Sequence, residues 1–130
     1  MAGFRKFEEI EAWQRARVLN EQVYCVIRQT GLEVDYKLRD QINASAGSIM
    51  DNIAEGFGRS GNREFIQFLE IAFASTCETQ SQLYRVRYRN YITDTQFYEL
   101  YAIAEEIKGK IIGLVNYLKR SPMKGVKYKE

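Results

Sequence analysis

From Phe7 to Leu118 the apolar residues of this chain recur in steps of three and four, and no proline interrupts them before Pro122. That spacing is the helical period, and a helix interior excludes proline, so nearly the whole chain is committed to helices. The last segment is the clearest: Phe97, Leu100 (or Tyr101), Ala104, Ile107, Ile111, Leu114 and Leu118 share one stripe. It predicts a helix over about residues 95–120, capped by Asp94 and stopped by Pro122. A third segment carries Phe65, Phe68 (or Leu69), Ala72, Thr76, Thr79, Leu83 and Val86, with Ser60 or Asn62 as its cap. The second covers about residues 36–57 through Leu38, Ile42, Ala46, Ile49 and Ile53, capped by Asp35. The first covers about residues 7–29 through Trp13, Ala16, Val23 and Ile27, with Gly31 placed for a left-handed C-cap.

One stretch carries the opposite signal. Residues 84–91, YRVRYRNY, alternate with period two, as a strand would. The stripe of threes and fours nevertheless runs unbroken into Leu83 and Val86, and no second strand-like segment exists to pair with it. A lone strand would leave its backbone groups unpaired, so the stretch reads as helix. Connections at about residues 30–34, 58–62 and 91–94 are short enough to make consecutive helices antiparallel neighbours. The expected fold is all-α: an antiparallel up-down-up-down four-helix bundle over residues 1–120, followed by a basic flexible tail over 121–130.

Composition narrows the chemistry. At 130 residues with 45% hydrophobic content, the chain builds one core, not two. It has no histidine, which excludes Ser-His-Asp and Cys-His catalysis, histidine zinc sites and the Glu-x-x-His pairs of di-iron bundles. Neighbouring carboxylates such as Glu8-Glu9 or Glu105-Glu106 point about 100° apart on a helix and do not converge, so the chain is read as no enzyme. No cofactor or metal is implied. Cys25 and Cys77, 52 positions apart and without CxxC spacing, read as small buried hydrophobes of a reducing compartment. Glu8, Glu9 and Glu11 stand where a signal peptide needs an apolar run. The most apolar stretch, residues 111–118, is far short of the ~20 residues that span a bilayer. The expectation is a soluble cytoplasmic protein.

There is more apolar surface than one bundle needs. Besides its main stripe, the third helix carries Ile66, Phe73 and Cys77, continued by Tyr84 and Tyr91, and the first adds Leu19 and Val26. A bundle helix needs one apolar face, so a second face predicts cover by another subunit. Ala72, Ala74 and Ser75, with Gly109 and Gly113, would permit close helix approach, and a mid-helix glycine otherwise costs about 1 kcal/mol.

Residues 48–63 read SIMDNIAEGFGRSGNR. Gly56, Gly58 and Gly61 surround a tight reversal that calls for positive φ. Without a preceding strand or a Gly-Lys-Ser/Thr, neither phosphate-loop fingerprint is met. Asn52, Glu55 and Arg59 are expected to brace the turn by hydrogen bonds, the Glu55–Arg59 spacing of i,i+4 being a favourable one; the sharper alternative makes them a partner or subunit contact.

The run Ser48-Ile49-Met50-Asp51-Asn52-Ile53-Ala54-Glu55-Gly56-Phe57-Gly58-Arg59, followed by Glu64-Phe65-Ile66-Gln67-Phe68-Leu69-Glu70-Ile71-Ala72, resembles the four-helix-bundle family encoded in intervening sequences of bacterial 23S ribosomal RNA genes. Phe7, Trp13 through Tyr24, Tyr36, Leu38, Gln41-Ile42, Glu78-Thr79 and Gln82-Leu83 continue the resemblance over about residues 7–120. It implies an antiparallel bundle assembled into a homopentamer. It also implies kinship with the accessory variability proteins of diversity-generating retroelements, pentameric barrels that bind nucleic acid and a reverse transcriptase. One departure counts against an RNA role: where relatives carry paired basic residues after the Gln-Ile of the second helix, this chain has Asn43-Ala44-Ser45.

The net charge of +2 hides an asymmetry. Residues 119–130 hold Lys119, Arg120, Lys124, Lys127 and Lys129 against Glu130 alone. A second cluster, Arg85, Arg87 and Arg89, is interleaved with Tyr84, Tyr88 and Tyr91. Cations among rings suit single-stranded nucleic acid, since rings stack on bases and arginines meet phosphates. Both clusters also sit at helix C-termini, where cations simply offset the macrodipole. The expected function is a non-enzymatic homo-oligomeric accessory protein binding RNA or a nucleoprotein partner. The alternative is a scaffold, for example for a reverse transcriptase, without nucleic-acid contact.

Overall fold

The structure is a computed structural model that describes residues 3–121. A 3-10 turn, Phe7–Glu9, leads into α1, Glu11–Gln29. A second 3-10 turn, Gly31–Val34, leads into α2, Tyr36–Phe57, followed by α3, Asn62–Tyr88, and α4, Asp94–Arg120. These four helices form the antiparallel up-down-up-down bundle, with no strand among the described residues. Antiparallel register is visible in side-chain pairs that run in opposite directions. Lys110 meets Glu11 at 2.7 Å, and one turn along Arg15 meets Glu106 at 3.0 Å. Likewise Ser48 faces Ser75, Ser45 faces Thr79, and Gln41 faces Arg85. The expected tail lies outside the described residues apart from Ser121, which caps α4.

The predicted stripes form the core. Ala16, Val23, Ile27, Leu38, Ile42, Ala46, Ile49, Ile53, Phe65, Leu69, Ala72, Leu83, Val86, Phe97, Leu100, Ala104, Ile107, Ile111 and Leu118 are all buried together. Trp13 and Leu114 pack partly buried at its margin. Leu19, assigned by sequence to a surplus face, is fully buried, and Val26 packs against the core. Burying these side chains supplies the main stabilising term, roughly 1.5–3 kcal/mol for each large one.

The helix ends differ in detail from their sequence signals. The first segment is split, because Ile10 adopts extended backbone between the 3-10 turn and α1. Thr30, extended rather than left-handed, ends α1; its hydroxyl donates to the Val26 carbonyl and accepts the Leu32 N–H. Gly31 therefore supplies no left-handed cap. The N-cap of α3 is Gly61, not Ser60 or Asn62, and the Asn62 amide instead donates to the Leu118 carbonyl at the end of α4. Thr93, not Asp94, caps α4 through a reciprocal capping box with Gln96. The alternating stretch is helical through Tyr88. It ends in a Schellman motif, in which Asn90 takes φ 62° while Tyr91 N–H meets the Val86 carbonyl and Asn90 N–H the Arg87 carbonyl.

Between α2 and α3 the interface is polar as well as tight. Ser45 Oγ donates to Gln82 Oε1 at 2.5 Å and lies 2.8 Å from Thr79 Oγ1, all three residues being buried. Ser48 and Ser75 join at 2.8 Å. Such a satisfied row fixes the register of two helices that apolar contacts alone would let slide.

Candidate functional site

The tyrosine–arginine row lies where α3 ends and α4 begins. Its three arginines are engaged within the fold. Arg85 donates to Gln41 Oε1 at 2.9 Å on α2. Arg87 sits 4.5 Å from the centre of the Phe97 ring and 3.7 Å from Asp94. Arg89 donates to Asp35 Oδ2 at 2.6 Å, and the Tyr91 hydroxyl donates to the same oxygen at 2.8 Å. Asp35 is thus the α2 N-cap residue, but its carboxylate is turned to the α3–α4 connection. The hydrogen bonds from Arg89 and Tyr91 hold the Asp35 carboxyl below its ordinary range, and the bond to Asp35 pushes the Tyr91 hydroxyl up. Around Arg87 the rings of Tyr84, Phe97, Tyr98 and Tyr101 form one contiguous cluster. Tyr88 and Tyr98 remain 70% and 64% exposed, so the cluster offers bare rings but arginines already partnered.

The Asn-Ile-Ala-Glu-Gly-x-Gly-Arg motif closes α2 and the turn into α3. Glu55 and Arg59 pair at 2.9 Å as the spacing predicts, and Arg59 also lies over the Phe68 ring. Asn52 is not part of that brace: its amide donates to the Ser48 carbonyl and hydroxyl, extending the polar seam toward α3. The glycines serve closeness rather than left-handed backbone, since no described glycine has positive φ. A Cβ on buried Gly56 would stand 2.6 Å from Phe68 Cβ and 3.0 Å from the Phe65 ring. Gly58, the α2 C-cap, is right-handed at φ −70°.

The surplus apolar surface lies elsewhere than its sequence signal. Ile66 and Phe73 pack partly buried against the core, and Tyr84 is 38% exposed within the ring cluster. What stays open is the outer face of the α3–α4 hairpin. Ile71 and Ile112 are each 48% exposed, and Ile112 lines a groove of about 340 Å³ between α3 and α4 with Glu70, Phe73, Ile111, Val115 and Asn116. A Cβ on Gly109 or Gly113 would meet nothing within 4 Å, and Gly113 lines the other groove of α4, toward Ile10, Glu11 and Ala12. Both cysteines are free and exposed, contrary to expectation, because each falls out of phase with its helix's buried stripe.

Lys119 and Arg120 close α4 at the opposite end and form no ion pair among the described residues; Lys124, Lys127 and Lys129 lie outside them. Sequence reasoning missed Lys6 and Arg63, which share that end and are likewise unpaired. Their separation along the chain hides a convergence that only the antiparallel fold creates. It equally missed Asp35, Gln41 and Asp94 as the partners of the arginine row. No helix among the described residues is long and apolar enough to cross a membrane.

No curated protein matches the chain. A solved structure from the S23 ribosomal protein family of Bacteroides thetaiotaomicron VPI-5482, described as a protein of unknown function, superposes with a TM-score of 0.72. It is 21% identical to this chain, and the match covers 80% of this chain and 97% of that one, so the two share a fold. The model of the family described as 23S rRNA-intervening sequence protein matches residues 8–113, most of the helical bundle and its Asn-Ile-Ala-Glu-Gly turn. The chain belongs to the 23S rRNA-intervening sequence protein family.

Proposed function

We propose that this chain is a non-enzymatic, homo-oligomeric accessory protein, a pentamer, that binds RNA or a nucleoprotein partner. The observation that carries the reading is the open apolar groove between α3 and α4, lined by Phe73, Ile111, Ile112 and Val115, with Ile112 half in water. Both helices have 27 residues, so they extend about 40 Å. With axes roughly 9 Å apart and each helix about 10 Å across, they present a face on the order of 800 Å² per copy, the size of a standard protein interface. A second copy is the occupant such a face suits, because its own equivalent apolar groove would cover the exposed Ile112 in return. The non-enzymatic reading rests on the missing histidine and on carboxylates that diverge: Glu105 pairs with Lys108, and Glu106 with Arg15.

A second reading keeps the assembly and drops the nucleic acid: a scaffold for a protein such as a reverse transcriptase, in line with a kinship to retroelement accessory proteins. The engaged arginines of the row favour it, since phosphate would have to displace Asp35 and Asp94. Exposed Tyr88 and Tyr98 beside Arg87 have the composition of protein-binding hot spots. Retention on immobilised RNA separates the two. Binding that weakens as salt rises supports the first reading, whereas absence of binding near about 50 mM salt leaves the scaffold.

A further inference from the structure

We propose that Lys6, Arg63, Lys119 and Arg120 form the contact for the phosphodiester backbone of RNA, at the end of the bundle where α4 finishes. This rests on the RNA reading above and moves its site away from the arginine row. Three elements bring the four cations together. The Asn62 amide bonds the Leu118 carbonyl at 3.2 Å, which sets the start of α3, and Arg63 with it, beside the end of α4. Phe4 and Ile10 line a groove of about 350 Å³ with Leu114 and Tyr117, which sets the first 3-10 turn and its N-cap Lys6 at the same end.

Availability decides between the two ends. At the tyrosine end, Arg28 pairs with Glu33, Arg39 with Asp40, Arg87 with Asp94 and Arg89 with Asp35. An incoming phosphate must break one of these pairs to reach those arginines; among the described residues Lys37 and Arg85 form no ion pair there, Arg85 being held by the neutral Gln41 amide. At the α4 end, Glu55 and Glu64 are occupied by Arg59, and Glu9 accepts the Arg5 backbone N–H; Glu8 and Glu9 are the acids there without an ion pair among the described residues, against the four cations. The four named cations form no ion pair among the described residues. Arg63 stands in the first turn of α3, where the positive end of the helix dipole adds to its charge. Lys119 and Arg120 offset the negative end of α4 beside it. In sequence, Lys124, Lys127 and Lys129 follow from this end. Contacts of this kind read charge and not base identity.

The test titrates a single-stranded polyuridine RNA of about 20 nucleotides into the full chain over a range of salt concentrations, reading anisotropy. Replacing all four residues (Lys6→Gln, Arg63→Gln, Lys119→Gln, Arg120→Gln) should lower the slope of log K against log salt by about 0.7 for each phosphate contact removed. The affinity at about 50 mM salt should drop by about tenfold or more. A charge-preserving set (Lys6→Arg, Arg63→Lys, Lys119→Arg, Arg120→Lys) should bind as the wild type does, which guards against a folding defect. Replacing Arg85, Arg87 and Arg89 by glutamine should lower the melting point with little change in slope. Wild-type slope in the four-glutamine variant, with loss in the arginine-row variant, would overturn this location and leave the RNA reading standing. No salt-dependent binding by the wild type would overturn both.

Discussion

Gly56 shows how one position can be fixed by packing alone. Alanine is the better helix former by about 1 kcal/mol, yet its methyl group would meet Phe68 Cβ, an atom that no rotamer change can move away. Gly56→Ala should therefore lose about 1–2 kcal/mol in denaturant unfolding, the overpacking cost exceeding the propensity gain. An unchanged midpoint would show that α2 and α3 can separate at this crossing. Ser45 makes the complementary case. Ser45→Ala removes the donor to buried Gln82 Oε1, so a loss of about 1–3 kcal/mol is expected from the unpaired amide oxygen, with no change in helix content by circular dichroism.

What the sequence disclosed at this scale was phase. The buried stripe of each helix could be read position by position because burial repeats with the helix period. The partners of polar residues could not: Asp35 and Arg89 are 54 positions apart, and nothing local announces their meeting. The cysteines were misplaced for a related reason, since membership of an apolar segment does not fix which side of the helix a residue occupies.

At the scale of elements, boundaries were less legible than stripes because several residues near each end have cap chemistry. Thr93 and Asp94 both suit an N-cap, and the capping box with Gln96 settled the choice. The Tyr84-to-Tyr91 alternation illustrates how a local strand signal loses to tertiary packing: Val86 belongs to the core, while Arg85 and Arg87 reach sideways to α2 and α4. The turn into α4 is tied to the start of α2 by Asp35. Because its carboxyl is held below the ordinary value of about 3.9, the stabilisation it gives is complete above that value and fades as pH falls through the lower folded value. Asp35→Asn should accordingly melt below the wild type at pH 7, and the gap between the two curves should close as the solution is acidified below about pH 4. A gap independent of pH would mean that the ion pair with Arg89 contributes nothing.

For the molecule as a whole, the second apolar face expected on the third helix is largely absorbed by the bundle. Leu19 is fully buried and Ile66 and Phe73 pack against the core, while Ile71 and Ile112 stay half exposed, Ile112 in the α3–α4 groove. The split of charge is a property at the same scale. Among the described residues, arginines and lysines gather at both ends of the bundle, yet those at the tyrosine end are mostly spoken for and those at the α4 end are mostly not. Only the antiparallel arrangement reveals that difference.

Light scattering on the full chain at micromolar concentration, with Ile71→Asp/Ile112→Asp measured alongside, tests self-assembly most directly. The wild type should scatter as a closed multiple of 15.2 kDa, five copies in the pentameric reading, and the double variant should keep its helical spectrum while falling toward one copy. A wild type that scatters as a single 15.2 kDa protomer would contradict it.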